Sequence, residues 1–339
     1  MKILYYLPVN SKFIKKWEYY ENDFQSLKKI YGKNLLLGNS FFELLKNFFS
    51  SDIIYSWWWH RSFVILILSK IFRKKIICTG AIHMFDLSSH TTFYKKNFFY
   101  KLLNKIVLKY SDANIFISKD QYNSITSHIE CSKSFYLHSS LKKKHLEIKK
   151  LKKKINNDFN FLTITWFTKE NLDRKGVFEI LDALKKIKNK KYKYIIAGSS
   201  GNGLNDLKKK ISENNLNKNV YIKKDISEKF KERLYQNSDL FLMPSKYEGL
   251  GNSCIEAMSF GVPCLVSRYS AQPEIVSDKG FIINDITDHD ISKIIMKFLN
   301  LRKEKRRQMY IKTLNYAHDK FSFNQRTKNL KKIMDIFSN

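Results

Sequence analysis

Pro244-Ser245-Lys246-Tyr247-Glu248-Gly249-Leu250-Gly251-Asn252-Ser253-Cys254-Ile255-Glu256-Ala257-Met258-Ser259-Phe260-Gly261-Val262-Pro263-Cys264 is the stretch on which the reading of this chain turns. The apolar run from Asp239 to Met243 leads into it and has the pattern of a buried strand. A glycine-bearing loop follows, then a short helix, then a second strand from Pro263 to Ser267. Backbone N–H groups at a helix start are unpaired and partly positive, so this junction can hold an anionic phosphate. Gly249 and Gly251 let the backbone approach a ligand without side-chain obstruction. Glu248 and Glu256, with seven residues between them, bracket the junction and can accept hydrogen bonds from hydroxyls. Phosphate in the middle with hydroxyls on both sides describes a nucleotide sugar. A plainer reading stands beside it. Ser253-x-x-Glu256 is also a capping box, and Gly261 with Pro263 is an ordinary helix stop.

At 339 residues, with 43% hydrophobic and 15% aromatic content, the chain supports about two domains with real cores and is not a disordered protein. Cys78, Cys131, Cys254 and Cys264 are scattered without a Cys-x-x-Cys pair. That pattern argues against a disulfide framework or zinc knuckle and fits a reducing cytosol. The formal net charge is +31, from 62 basic and 31 acidic side chains, which calls for an anionic partner or surface. Nucleic acid and an anionic membrane leaflet both qualify. Only nine of the bases are arginine, the preferred reader of base edges, and this weakens the nucleic-acid case. Met1 to Pro8 reads as a first buried strand, not a secretory signal. The most hydrophobic run, Ser62 to Phe72 after Trp57-Trp58-Trp59, is far shorter than the ~20 residues that span a bilayer. It reads as a buried helix, with a membrane-dipping role as the alternative.

Short apolar strands alternate with amphipathic helices in two series. The first places strands at Lys2–Leu7, Asp52–Tyr55, Lys75–Thr79 and Ala113–Ile117, with helices after Ser62 and over Lys95–Tyr110. The lysine-crowded stretch Leu141 to Lys154 interrupts and reads as a solvated linker. The second series places strands at Phe159–Thr165, Tyr192–Ala197, Asn219–Ile222, Asp239–Met243, Pro263–Ser267 and Gly280–Ile283, with helices at Gly176–Lys188, Leu204–Asn214 and Lys229–Gln236. This alternation predicts an α/β chain of two doubly wound, Rossmann-like domains with parallel sheets, facing across a cleft. The expected boundaries are 1–155, 156–320 and a C-terminal helix, 321–339, packing back toward the N-terminal domain.

Phe161 to Ile283 resembles the nucleotide-sugar-binding half of retaining glycosyltransferases of family 4, which have the GT-B fold. The resemblance is carried in order by Arg174-Lys175-Gly176, Ile195-Ile196-Ala197-Gly198, Asn237 to Ser245, Glu256 to Pro263 and Pro273-Glu274-Ile275-Val276. In the first half, Ser111 to Ser118 matches a familiar strand and turn. The resemblance implies roles. Glu256 would hold the ribose hydroxyls and Glu248 would face the transferred sugar. The backbone of Gly249, Leu250, Gly251, Asn252 and Ser253 would cradle the diphosphate, and Lys175 would neutralise it. The family's arginine six residues before that lysine corresponds to Lys169. His83, after a first-domain strand, would reach toward the donor sugar, and Asp86 either orients it or caps a helix. Lys223-Lys224-Asp225 stands in the region that contacts the base. Two departures stand out. Pro8-Val9-Asn10-Ser11 lacks the glycine-rich loop of the acceptor side, and Ser270-Ala271 replaces a Gly-Gly pair. Asp288-His289-Asp290 matches a metal-binding Asp-x-Asp but precedes an apolar-periodic helix, so capping explains it. No metal or other cofactor is implied.

The expected activity is retaining transfer of a sugar from a nucleoside-diphosphate sugar to a hydroxyl of a glycan or lipid-linked acceptor, in cell-envelope polysaccharide or lipopolysaccharide synthesis. Lys101, Lys105 and Lys109 align on the Lys95–Tyr110 helix while Phe99, Leu102, Leu103 and Ile106 gather on another side. Such a helix suits an anionic membrane or the ordinary surface of a domain. With the net charge, it points to a cytoplasmic enzyme peripheral to the inner face of the membrane. The rivals are a nucleotide-sugar epimerase on the same fold and a noncatalytic basic nucleic-acid-binding protein.

Overall fold

The computed structural model describes residues 1–8, 18–84, 92–141, 158–188 and 190–338. Val9 to Ser11 of the glycine-free loop, Asp86 and residues 142–154 of the lysine-crowded stretch lie outside the described residues. The chain divides into two compact units, one containing the N-terminal half together with the segment from Phe321 onward, the other ending at Lys320.

The first unit is built on a parallel sheet. Its strands are β1 (Ile3–Tyr6), β2 (Leu35–Gly38), β3 (Ile53–Trp57), β4 (Lys75–Gly80), β5 (Ala113–Phe116) and β6 (Ser134–Tyr136), in the order β2-β1-β3-β4-β5-β6. Successive side chains go to opposite faces, as the strand period requires. Ile3, Tyr5, Ile53 and Tyr55 pack with Leu27, Leu330 and Met334, from the helices Glu18–Tyr31 and Phe323–Asp335. Leu4, Ile54 and Ile76 pack on the other side with Phe48, Leu66 and Val107, from the helices Phe41–Phe48, Phe63–Ile71 and Phe98–Tyr110. A buried ion pair joins Arg326 on the C-terminal helix to Asp23, whose other oxygen accepts from Tyr55 Oη at 2.9 Å.

The segment expected as a buried helix departs from that reading. Ile65, Leu66 and Ser69 are buried, but Val64, Ile67 and Ile71 form an exposed apolar stripe on its other side. The helix is apolar on nearly every side, and packing on one sheet buries only the side turned toward it.

The second unit repeats the parallel design with β7 (Phe159–Ile164), β8 (Tyr192–Gly198), β9 (Val220–Lys224), β10 (Leu240–Met243), β11 (Cys264–Ser267) and β12 (Phe281–Ile283). The order is β12-β11-β10-β7-β8-β9. The chain starts in the middle, winds outward through β8 and β9, and returns to the other side of β7 with β10. The carboxyl ends of β7 and β10 therefore flank the point where the winding reverses, which is where open parallel sheets bind ligands. Phe161, Leu240 and Leu265 pack against the helices Val177–Lys185 and Asp288–Leu299 on one face.

Candidate functional site

Two loops meet at that reversal point. After β7 the chain passes Trp166, makes the helix Lys169–Arg174, and turns at Lys175 into the helix Val177–Lys185. Gly176 takes φ +67°, and a Cβ there would stand 2.7 Å from the Pro244 carbonyl oxygen, so only glycine lets this turn press against the end of β10. After β10, Ser245 to Gly251 lead into the helix Asn252–Ser259.

Glu248 and Lys175 come together here. Arg174 Nη1 donates to Glu248 Oε1 at 2.7 Å and to the Tyr247 carbonyl at 2.7 Å, while Nη2 donates to Asn171 Oδ1 at 2.9 Å. Ser245 Oγ donates to the same Glu248 oxygen at 3.3 Å, and Lys175 Nζ stands 3.9 Å from it. Among the described residues no hydrogen bond falls on Glu248 Oε2. Burial alone would raise the Glu248 pKa, but the charges of Arg174 and Lys175 outweigh it and hold the carboxyl below its ordinary range. Lys175 Nζ donates to the Ile164 carbonyl at 2.9 Å. Burial depresses its pKa, Glu248 pulls the other way and Arg174 reinforces the depression, leaving it below the usual lysine range. A buried ammonium left short of compensating charge is stabilised by an incoming anion.

Gln272 braces the loop from beneath. Fully buried, it donates through Nε2 to the Ser245 carbonyl at 2.8 Å and to Ser267 Oγ at 2.9 Å.

The capping-box reading of Ser253-x-x-Glu256 is not what forms. Gly251, at φ +88°, is the N-cap and offers no side chain, so Ser253 lies inside the first turn with its hydroxyl on Met243 Sδ at 3.2 Å. No hydrogen bond to the N–H groups of Asn252 or Ser253 is found among the described residues. Glu256, released from capping, turns its carboxylate to Lys231 at 3.1 Å and Tyr235 Oη at 2.9 Å. Burial pulls the Lys231 pKa down, yet Glu256 and Glu228 together push it above the usual lysine range.

Lys175, Arg174, Lys231 and Ser253 line one pocket of about 370 Å³ with Trp166 and Glu228. Leu250 beside it is buried, fixing the loop. Lys169 is not drawn into this group. It opens the short helix that Arg174 closes, points outward, and pairs with Asp206 at 3.1 Å. Sequence reasoning quoted Arg174 within a motif but gave it no role, although an arginine beside Lys175 stands out in a chain that mostly uses lysine. It overlooked Trp166, Lys231 and Tyr235, and only the half-exposed tryptophan at a strand end was legible beforehand.

His83 belongs to the first unit, just beyond β4, half-buried and with its carbonyl accepting from Phe93 N–H at 2.6 Å. Asp225 sits at φ +50° after β9 and accepts from Ser200 N–H at 2.8 Å, with Ile226 reaching the pocket. Ser270 adopts φ +58°, so the loop keeps the left-handed turn despite lacking glycine. Asp288 pairs with Lys186 at 2.6 Å, and Thr287, not an aspartate, caps that helix. Among the described residues no group of three or more His, Cys, Asp or Glu side chains is arranged to hold a metal ion, and no helix is long and apolar enough to cross a membrane.

Comparison with known proteins bears on this site. Residues 148–315 match the family model "Glycosyl transferases group 1". Over 125 residues the chain is 30% identical to glycogen synthase of Elusimicrobium minutum, covering 37% of this chain and only 25% of that protein. It is 26% identical over 264 residues to the "Uncharacterized 41.2 kDa protein in cps region" of Klebsiella pneumoniae, covering 72% of this chain and 70% of that one. Among solved structures, Anabaena HepE in complex with UDP superposes with a TM-score of 0.71 at 13% identity, covering 99% of this chain and all of that chain. Each unit is thus Rossmann-like, as in the GT-B fold, the second carries the pocket at the β7–β10 reversal, and the chain is related, through residues 148–315, to the group 1 glycosyl transferases.

Proposed function

We propose that this protein transfers a sugar from a nucleoside-diphosphate sugar to a hydroxyl of a glycan or lipid-linked acceptor, with retention at the anomeric carbon, in the synthesis of a cell-envelope polysaccharide. The observation that carries the reading is the pocket itself. A buried, under-compensated Lys175 and Arg174 line it with Ser253, whose N–H is open like that of Asn252, while Glu248 pairs with Arg174 and Glu256 with Lys231. The diphosphate lies against these cationic and N–H groups. The ribose hydroxyls share Glu256 with Lys231, and a hydroxyl of the transferred sugar donates to Glu248 Oε2. Lys169, paired with Asp206, contributes only long-range charge. The Klebsiella relative's place in a cps region supports the polysaccharide context.

In this reading the bond between the anomeric carbon and the diphosphate oxygen breaks while a bond to the acceptor oxygen forms on the same face. The acceptor's proton passes to the departing phosphate oxygen. Lys175, Arg174 and the two N–H groups take up the charge that grows on the leaving group, from positions set before reaction.

Calorimetry with UDP, GDP and ADP tests the site. One of them is expected to bind, and Lys175→Met to weaken it by about tenfold or more. No binding by any of the three, or equal binding by the variant, would count against the reading. With the matching sugar nucleotide, a product whose anomeric configuration is inverted would remove the retention claim, and an isomerised donor without transfer would favour an epimerase.

A further inference from the structure

Three helices cover one face of the first unit's sheet: Phe41–Phe48, Phe63–Ile71 and Phe98–Tyr110. Their inner sides are core. Their outer sides should be polar, and they are not. Phe42 is 82% exposed, Val64 67%, Ile71 65% and Phe99 72%, with Leu45, Ile67, Phe98 and Leu102 also exposed. Phe49 and Phe72 continue the patch between the first two helices, with ring centroids 5.1 Å apart. Next to the third helix, Phe93, Phe98 and Leu102 open into a recess of about 310 Å³ whose wall also carries Lys101 and Lys105. A contiguous apolar face of this kind marks an interaction surface.

The charges within the face select the partner. The three helices carry Lys46, Lys70, Lys101, Lys105 and Lys109 but a single carboxylate, Glu43. Lys70 and Lys109 are answered from outside the helices, by Asp112 and Glu130. Lys46, Lys101 and Lys105 have no carboxylate within ion-pair reach among the described residues. Protein–protein interfaces are depleted in lysine at their apolar centres. A lipid surface accepts this mixture, because apolar side chains enter the acyl boundary while lysines lie along it and reach the headgroups.

We infer that the outer face of these three helices docks the protein onto an anionic lipid surface, with Phe42, Phe49, Val64, Ile67, Ile71 and Phe99 entering the bilayer boundary. The inference stands apart from the donor reading, since it rests on residues of the first unit alone.

Vesicle flotation tests it. The protein is expected to float with phosphatidylcholine vesicles containing phosphatidylglycerol and to stay in solution with phosphatidylcholine alone. Raising the salt should release it. Ile67→Ser with Ile71→Ser, and separately Lys101→Glu with Lys105→Glu, should each lower the bound fraction by about tenfold or more. Because Ile67, Ile71 and Lys105 are exposed and Lys101 is partly so, thermal unfolding should change little in either variant, which shows that a loss of binding is not a loss of fold. No flotation at low salt, or flotation insensitive to both pairs, overturns the proposal. It is also overturned if sedimentation shows a dimer that the serine variant dissociates while vesicles are ignored, since the face would then join two copies of the chain.

Discussion

Replacing Arg174 by alanine probes the centre of the site. The guanidinium makes two hydrogen bonds at 2.7 Å, to Glu248 Oε1 and the Tyr247 carbonyl, and a third at 2.9 Å to Asn171. Breaking a buried ion pair from one side costs about 3–5 kcal/mol. Here the side chains are 21% and 13% exposed and Lys175 remains nearby, so the expected loss is nearer to about 2–3 kcal/mol at neutral pH. The loss should depend on pH in a defined sense. In the native protein the Glu248 pKa is depressed, so its contribution is present above the unfolded carboxylate value of about 4.3 and disappears as pH falls through the lower folded value. Without Arg174, burial pushes the carboxyl up, and acid then relieves the variant by protonating Glu248. Urea denaturation at pH 7.5 and pH 4.5 should therefore show a deficit that narrows in acid. A cycle with Glu248→Gln should give a coupling of about 1.5–3 kcal/mol. An equal deficit at both pH values, or additive single effects, would refute the assignment of Arg174 as the partner that keeps Glu248 ionised.

Two further outcomes follow from strained or buried positions. Ser270 holds φ +58°, a conformation costly for an L side chain, so Ser270→Gly should raise stability by about 0.5–1 kcal/mol, read as a higher urea midpoint. Asp23→Ala strands the buried Arg326 guanidinium and should lower stability by about 3–5 kcal/mol, whereas Asp23→Leu combined with Arg326→Met should recover most of that loss.

Most of the strands were legible because each is a short apolar run bounded by turn residues, buried on both faces by helices. The two strands that escaped are β2 and β6, the edges of the first sheet. Leu35 to Leu37, Ser134 and Phe135 are only partly buried and Tyr136 is exposed, so the burial signal that marks the central strands is weak in both. At the site, the glutamates and Lys175 were readable as residue types, but two local choices were not. Ser253 matched a capping box until Gly251 took the left-handed conformation that moved the helix start forward. Lys169 matched a motif spacing, yet the spacing is folded into a six-residue helix, Lys169–Arg174, that turns its first residue outward and presents its last to Glu248.

The buried carboxylates give the strongest internal argument. Acidic residues are half as numerous as basic ones, so solvation and solubility need no acid in the interior. Each one found there answers to a specific partner. Asp23 meets Arg326 and Tyr55, and Asp239 accepts from Tyr310 Oη at 3.0 Å and from the Asn160 N–H at 2.8 Å. Both of those tie a distant segment to a sheet and are satisfied by the fold alone. Glu248 and Glu256 differ. They follow β10 at the winding reversal and their cationic partners, Arg174 and Lys231, line an open pocket, although Glu256 also ties its helix to the buried Tyr235. Mutating the first pair should therefore appear mainly in unfolding free energy. Mutating the second should appear mainly in nucleotide affinity, with Glu256→Ala losing nucleoside-diphosphate binding while its urea midpoint moves less than that of Asp23→Ala. If Glu256→Ala unfolded the chain as readily as Asp23→Ala, Glu256 would belong to the framework and not to the nucleotide site.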